Sequence, residues 1–326
     1  MPNPNTAAVA NFQNPDAYEQ VMGRWSRRLA PLLIQFGGLS DGDRVLDVGC
    51  GTGSLTFTFP EIANVASVTG IDLTEPYVDF ARVRNADPRI SFRQADARAL
   101  PFEDNSFDRA FSMLVLQFIP DAAFAVAEKR RVVRPGGTVT AAVWDAYGGM
   151  LHTRILWDIA AVLDPSIERP LIRPLSKPNE MSALWRELGF LDVEQTSLLI
   201  RMEFSCFDDY WLPFTRGEGP PGQFVAGLSD AARSTLTEHL RRAYLANLPD
   251  GPVPLRALHG RVEGLCRRNQ NDAPAATRTP VGSSGFADAD WADPPLSVDA
   301  GGGVAPGRDV LKNGTVRRLA PLLWAG

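Results

Sequence analysis

Nine residues constrain this chain more than any others: Val45-Leu46-Asp47-Val48-Gly49-Cys50-Gly51-Thr52-Gly53. The stretch opens as a continuous apolar and β-branched run from Arg44 to Val48, the pattern of a strand buried on both faces. It then places glycine at three alternate positions. Glycine takes backbone angles closed to other residues and lets a ligand approach the chain. A buried strand that runs into such a loop and on into a helix presents backbone N–H groups and the positive end of a helix dipole. The stretch therefore predicts a cradle for a ligand with a negative or hydrogen-bond-accepting end.

Two details sharpen the reading. The pattern is Asp-x-Gly-x-Gly-x-Gly, and Ser54 stands where the dinucleotide pattern Gly-x-Gly-x-x-Gly has its third glycine. An acidic residue, Asp72, ends the next apolar run, Val65 to Ile71, where a carboxylate would accept from a ribose hydroxyl pair. These features together resemble the S-adenosylmethionine (SAM) site of class I methyltransferases. The resemblance continues in Leu100-Pro101-Phe102-Glu103-Asp104-Asn105-Ser106-Phe107-Asp108. That run is similar to the Leu-Pro-Phe-x-Asp-x-Ser-Phe-Asp signature of the methyltransferase type 11, ubiquinone/menaquinone-biosynthesis-like branch. Met22-Gly23-Arg24-Trp25-Ser26-Arg27 resembles the N-terminal helix of the same branch, which folds over the cofactor.

The resemblance implies a set of roles. Asp47, Gly49, Cys50 and Gly51 hold the methionine part of SAM, and Arg24 pairs with its carboxylate. Asp72 takes the ribose, Leu73 packs on the adenine, and Asp96 with Ala97 reads the adenine edge. Met113, ending the fourth strand, lies beneath the sulfonium. Cys50 fits as a small residue in a tight loop better than as a nucleophile. The acceptor pocket is expected from Trp144, Tyr147, His152, Phe207, Tyr210, Trp211 and Phe214, although aromatics at regular spacing equally make plain core. His152 is the candidate general base because the other histidines, His239 and His259, fall late in the chain. Asp145 and Tyr147 are its rivals. No metal pattern is present.

Periodicity predicts the elements around this site. Tyr18 to Phe36 carries apolar residues at helical spacing, with Pro31 as a point of kinking and Gly37-Gly38 as the stop. Ser54 to Phe59 reads as a helix cut by Pro60, and Thr74 to Arg84 as a helix capped by Thr74. Strands are expected at 90–94, 108–113 and 138–144, with a helix from Pro120-Asp121 to Val133 and a turn at Arg134-Pro135-Gly136-Gly137. Further helices fall at 150–163, 181–188 and 230–245, and a strand at 193–204. Strands alternating with helices predict an α/β fold, a doubly wound, mostly parallel, Rossmann-like sheet.

Composition narrows the class of protein. A net charge of −5 gives no general attraction for nucleic acid or anionic membrane. Three separated cysteines, Cys50, Cys206 and Cys266, form no disulfide framework and suit a reducing cytoplasm. Residues 1–17 are polar, lack a signal-peptide pattern and read as a flexible arm. No apolar run approaches the ~18 residues of a membrane helix. The expectation is a cytoplasmic enzyme acting on a small molecule, with residues 18–254 as the methyltransferase domain. The weighed alternatives are a catalytically silent SAM-binding protein and a nicotinamide-dependent dehydrogenase, which Ser54 and Asp96-Ala97 oppose.

Residues 255–326 differ in texture, rich in Gly, Ala, Pro, Asp and Arg, and predict a tail of low order. In the branch this chain resembles, the closing strand is antiparallel and rich in Trp, Ala, Val, Arg and Gly. Here that place holds Leu255 to Gly264. The His259-Gly260 codons, read one frame over, permit Trp and then a family-like ending. The expectation is an out-of-frame translation from about residue 257, so that the sheet lacks its last strand or recruits a poor substitute.

Overall fold

The sheet grows outward from β1 (Arg44–Val48). The computed structural model describes residues 14–145, 150–167, 174–246, 248–251 and 258–268. All of these fall within the compact unit Met1–Ala273. β2 (Ser67–Asp72), β3 (Ile90–Gln94), β4 (Phe107–Met113), β5 (Val133–Trp144), β6 (Leu191–Met202) and β7 (Leu258–Arg268) complete a seven-stranded sheet in the order β3-β2-β1-β4-β5-β7-β6. β1 pairs in parallel with β2 and β4, β2 with β3, and β4 with β5. β7 runs antiparallel to both β5 and β6. The architecture is the doubly wound sheet expected from the alternating pattern.

Side chains alternate across this sheet with the period of two that a strand imposes. Val45, Val68, Phe111 and Ala142 point to one face, where they join the helix α2 (Arg24–Gly37) through Trp25, Leu29, Leu33 and Ile34. Leu46, Ile71, Ala110, Ala141 and Val143 point to the other, beneath Val126 and Val132 of α5 (Ala122–Val132) and Trp185 of α7 (Glu180–Glu187). Burying each large aliphatic chain of this kind contributes about 1.5–3 kcal/mol of transfer free energy. The first face is extended by α6 (Leu151–Leu163), α8 (Phe207–Trp211), α9 (Gly219–Ala226) and α10 (Asp230–Leu245).

Several boundaries differ from expectation for identifiable reasons. The chain is already helical in α1 (Pro15–Tyr18), with Ala17 buried, so the end of the expected arm is ordered; residues 1–13 of it lie outside the described residues. A π turn, Glu19–Gly23, joins α1 to α2. Pro31 lies inside α2 without splitting it, and the helix ends on Gly38 at φ +69°. Pro60 does not cut a helix but sits in the first turn of α3 (Phe59–Ile62), where its missing N–H is no loss. Helix α4 (Glu75–Arg84) starts after Thr74, whose side chain makes no cap; Asp72 accepts from the Thr74 N–H instead. The Arg134–Gly137 turn is absorbed into β5 as a register shift, with Gly136 at φ +76°.

The strand β7 lies within the span expected to be tail. It occupies the antiparallel place between β5 and β6, so the sheet extends beyond residue 254 and that place is filled. Two long neighbours offer β7 main-chain partners on both sides, which the composition of the tail does not reveal. The expected low order of the remaining residues, 269–326, lies outside the described residues. No helix among the described residues is long and apolar enough to cross a membrane.

Candidate functional site: the glycine loop and its carboxylates

The loop after β1 is fastened to the end of β2. Gly49 N–H and Cys50 N–H both donate to the Ile71 carbonyl at 2.8 Å, and Gly53 N–H donates to Cys50 O at 2.9 Å. Gly51 N–H donates to Asp72 Oδ2 at 2.9 Å, while Thr74 N–H donates to Asp72 Oδ1 at 2.9 Å. Asp72 thus locks the loop to the start of α4 and keeps lone pairs on each oxygen. Burial raises its carboxyl above the ordinary range, and the backbone N–H groups of Thr74 and Gly51 pull it back.

The glycines are required by geometry. Gly49, Gly51 and Gly53 have φ of +80°, +53° and +91°. A Cβ at Gly49 would fall 2.5 Å from a methyl of Val115, and one at Gly53 would fall 2.5 Å from the Phe57 ring. At Gly51 it would meet nothing within 4 Å. The loop opens to a ligand at Gly51.

The sequence reading of an N–H cradle needs correction. The N–H groups of Gly49, Cys50, Gly51 and Gly53 are spent inside the protein, and a 3₁₀ turn and four-residue α3 follow rather than a long helix. The charge around the loop is anionic. Asp47, fully buried, accepts from Thr56 Oγ1 at 2.6 Å through Oδ2, and its Oδ1 has no partner. Burial pushes its carboxyl up to about 7. Asp47, Asp72 and Glu19 all act on the phenol of Tyr18, which burial pushes up to about 12. The arrangement favours a cationic ligand.

Lys129 on α5 is fully buried and donates to Ser112 Oγ at 2.7 Å, with its ammonium 5.6 Å from the Trp185 ring centre. Burial lowers it to about 7, against the pull of Asp47. Cys50 is buried and desolvation raises its thiol well above the usual range, which suits packing and opposes nucleophilic use.

The remaining positions divide. Leu73, 47% exposed, follows Asp72 at the carboxyl edge, with Gln94 Nε2 donating to its carbonyl at 3.0 Å. Asp96 and Ala97, both partly buried, lie just past β3. Asp96 pairs with Arg98 at 2.7 Å, which holds its carboxyl below the usual value. Met113 ends β4, partly buried, beside Leu114 at φ +63°. An L residue at that angle costs about 1–2 kcal/mol, and such strain collects at functional sites.

Arg24 is paired with Asp209 in the structure. Its Nη1 donates to Asp209 Oδ1 at 2.7 Å and its Nη2 to Asp209 O at 3.2 Å, while its guanidinium lies over Trp25 and Phe204. These contacts tie α2 to α8. His152 sits at the start of α6, 4% exposed, 6.3 Å from the Trp144 ring, with Nδ1 unpartnered. Burial lowers its ring to about 4, and the charge of Arg24 adds to the effect. Phe207, Tyr210, Trp211 and Phe214 are buried against one another and Tyr244, so they are core rather than pocket lining. Tyr147 lies outside the described residues.

Four residues at the site were not legible as such. Glu19 accepts from Thr52 Oγ1 in the middle of the loop. Tyr18 packs on Tyr77 at 5.3 Å, and Tyr77 donates to the buried Glu218 at 2.7 Å. The acidic residue one turn before Gly23 and the Tyr77 hydroxyl on an otherwise apolar helix face were the available signals.

Strand order, the antiparallel β7 and a glycine loop at the carboxyl edge of β1 define a class I methyltransferase fold. Residues 46–141 match the family model described as a methyltransferase domain. An uncharacterized protein of Mycobacterium tuberculosis is 36% identical over 130 residues, covering 38% of this chain and 47% of that protein. The 27-O-demethylrifamycin SV methyltransferase of Amycolatopsis mediterranei is 38% identical over 123 residues, 36% of this chain and 43% of that protein. The chain thus spans less than half the length of these relatives. Among solved structures, one chain of the Haloferax volcanii complex that contains the Trm112 methyltransferase activator superposes with a TM-score of 0.52 at 19% identity, covering 83% of this chain and 100% of that chain. That likeness concerns the fold.

Proposed function

We propose that this protein transfers a methyl group from SAM to a small-molecule acceptor. The observation that carries the reading is the loop itself, open at Gly51 and locked to Asp72, with carboxylates around it and the unpartnered Asp47 Oδ1 beneath. An orphaned buried carboxylate oxygen and an open glycine position fit a cofactor that carries positive charge. Asp47, Gly49, Cys50 and Gly51 hold its methionine part, Asp72 accepts from the ribose, Leu73 packs on the adenine, and Asp96 with Ala97 reads the adenine edge. Met113 lies on the sulfonium side.

When bound, the cofactor supplies an already activated methyl group. The chain then has to align the acceptor, an effect potentially worth about 7–11 kcal/mol in well-oriented systems. His152 is the proposed general base. Burial keeps its ring neutral at physiological pH, so an unprotonated nitrogen is present to take the acceptor's proton. A cytoplasmic setting and a small organic acceptor, rather than nucleic acid, accord with the acidic charge balance and the unpaired Cys50.

The test is incubation with methyl-labelled SAM and a fractionated metabolite extract. Label transferred to a small-molecule fraction is expected. Tight SAM binding with no transfer to any fraction would favour the silent binding protein instead.

A further inference from the structure

We propose that Glu19 receives the ammonium group of the cofactor's amino-acid end, while Arg27 and Arg84 beside it meet the carboxylate. The inference rests on the SAM reading above. It begins with the π turn Glu19–Gly23, a rare winding found mostly at functional sites. The turn carries Glu19 onto the glycine loop, where Thr52 Oγ1 donates to its Oε1; Thr52 is 1% exposed. Oε2 accepts from Arg27 Nη1, and Arg84 Nη1 lies 3.9 Å from Oε1. Gly23 is needed for this fit, since a Cβ there would fall 2.6 Å from Glu19 Oε2. Arg84 also lies over the Phe57 ring, which covers Gly53, so its guanidinium is at the rim of the loop.

The pattern is one carboxylate flanked by two guanidiniums. An α-amino acid presents the complementary pattern, one ammonium beside one carboxylate. The loop's own N–H groups at Gly49, Cys50, Gly51 and Gly53 are already spent, so the carboxylate needs another donor. The unpartnered Oδ1 of fully buried Asp47 is an independent sign that a donor group enters this region.

Equilibrium titration tests the assignment with two probes: S-adenosylhomocysteine, which has the amino-acid end, and 5′-methylthioadenosine, which lacks it. Glu19→Gln is expected to weaken the first by roughly 10- to 100-fold, the scale of a lost charge-assisted hydrogen bond, and to leave the second unchanged. Glu19→Asp is expected to fall between. Gly23→Ala keeps the charge but displaces the carboxylate, and is expected to behave like Glu19→Gln. Equal binding of S-adenosylhomocysteine by the parent and Glu19→Gln would overturn the proposal and leave the SAM reading standing. Equal loss for both probes would reduce Glu19 to a structural brace, also against the proposal. A parent that binds neither probe would overturn the SAM reading and this inference with it.

Discussion

A methyl group added at Gly51 and one added at Gly49 should have opposite consequences. Gly51 has φ +53° and open space where its side chain would be, whereas Gly49 has φ +80° and Val115 in contact. For Gly51→Ala the cost is the left-handed backbone alone, about 1–2 kcal/mol. For Gly49→Ala the same strain applies, and the new Cβ would lie 2.7 Å from the Val115 Cβ itself, so rotating that side chain gives no relief. Overpacking adds about 1–3 kcal/mol, for a total of about 2–5 kcal/mol. In a domain of this size each kcal/mol lowers Tm by about 2–4 °C. Gly51→Ala is therefore expected to melt roughly 2–8 °C below the parent and Gly49→Ala roughly 4–20 °C below it. Affinity should not follow stability. The Gly51 methyl enters the ligand's space, and a steric cost of about 1–3 kcal/mol corresponds to a roughly 5- to 150-fold loss of S-adenosylhomocysteine binding. Melting followed by fluorescence, with titration at a temperature where both variants are folded, measures both effects. Gly51→Ala binding as tightly as the parent would refute the placement of the ligand at the loop.

His152→Ala is expected to lower kcat by about 100-fold or more, the general-base scale, with S-adenosylhomocysteine affinity unchanged; a rate equal to the parent's with the true acceptor would remove His152 from the chemistry. Because its ring is lowered to about 4, the kcat profile should stay flat as pH falls from 8 toward 5 and drop only as the ring protonates below that. Arg24→Ala breaks a partly exposed pair with Asp209, so a stability loss of about 0.5–1.5 kcal/mol, discounted for solvent screening, is expected with no change in cofactor affinity. Loss of affinity instead would return Arg24 to the cofactor. Asp47 has its folded carboxyl raised to about 7 from an ordinary 3.8, so the folded state favours the protonated form. Its contribution is intact below pH ~4 and is lost as pH rises through ~7. Asp47→Asn should then match the parent's stability at pH 4 and exceed it at pH 8 in denaturant titrations, and the reverse order would contradict the burial argument.

What was legible in the sequence was whatever depends on local spacing. Val45–Gly53 announced a buried strand and a glycine turn because both are written in consecutive residues, and Asp230–Leu245 appeared with its observed ends because its periodicity is uninterrupted. The partners of long side chains were not legible. Arg24 and Arg27 share one helix, yet Arg24 reaches Asp209, 185 residues away, while Arg27 reaches Glu19. Nothing in their neighbours distinguishes them; the tertiary arrangement of α2 and α8 decides. The same holds for Phe207, Tyr210 and Trp211, whose spacing fits pocket and core alike until Tyr244 is brought against them. Strand β7 was hidden by composition, since pairing with β5 and β6 supplies order that its glycine-containing sequence does not.

The most direct measurement is an equilibrium titration of the intact protein with SAM, run in parallel with NADH. The proposed SAM site, with Asp-x-Gly-x-Gly-x-Gly in place of the dinucleotide pattern and an anionic setting around the loop, predicts saturable one-site binding of SAM, with NADH neither binding nor competing. Saturable NADH binding, or no binding of SAM, would contradict the account.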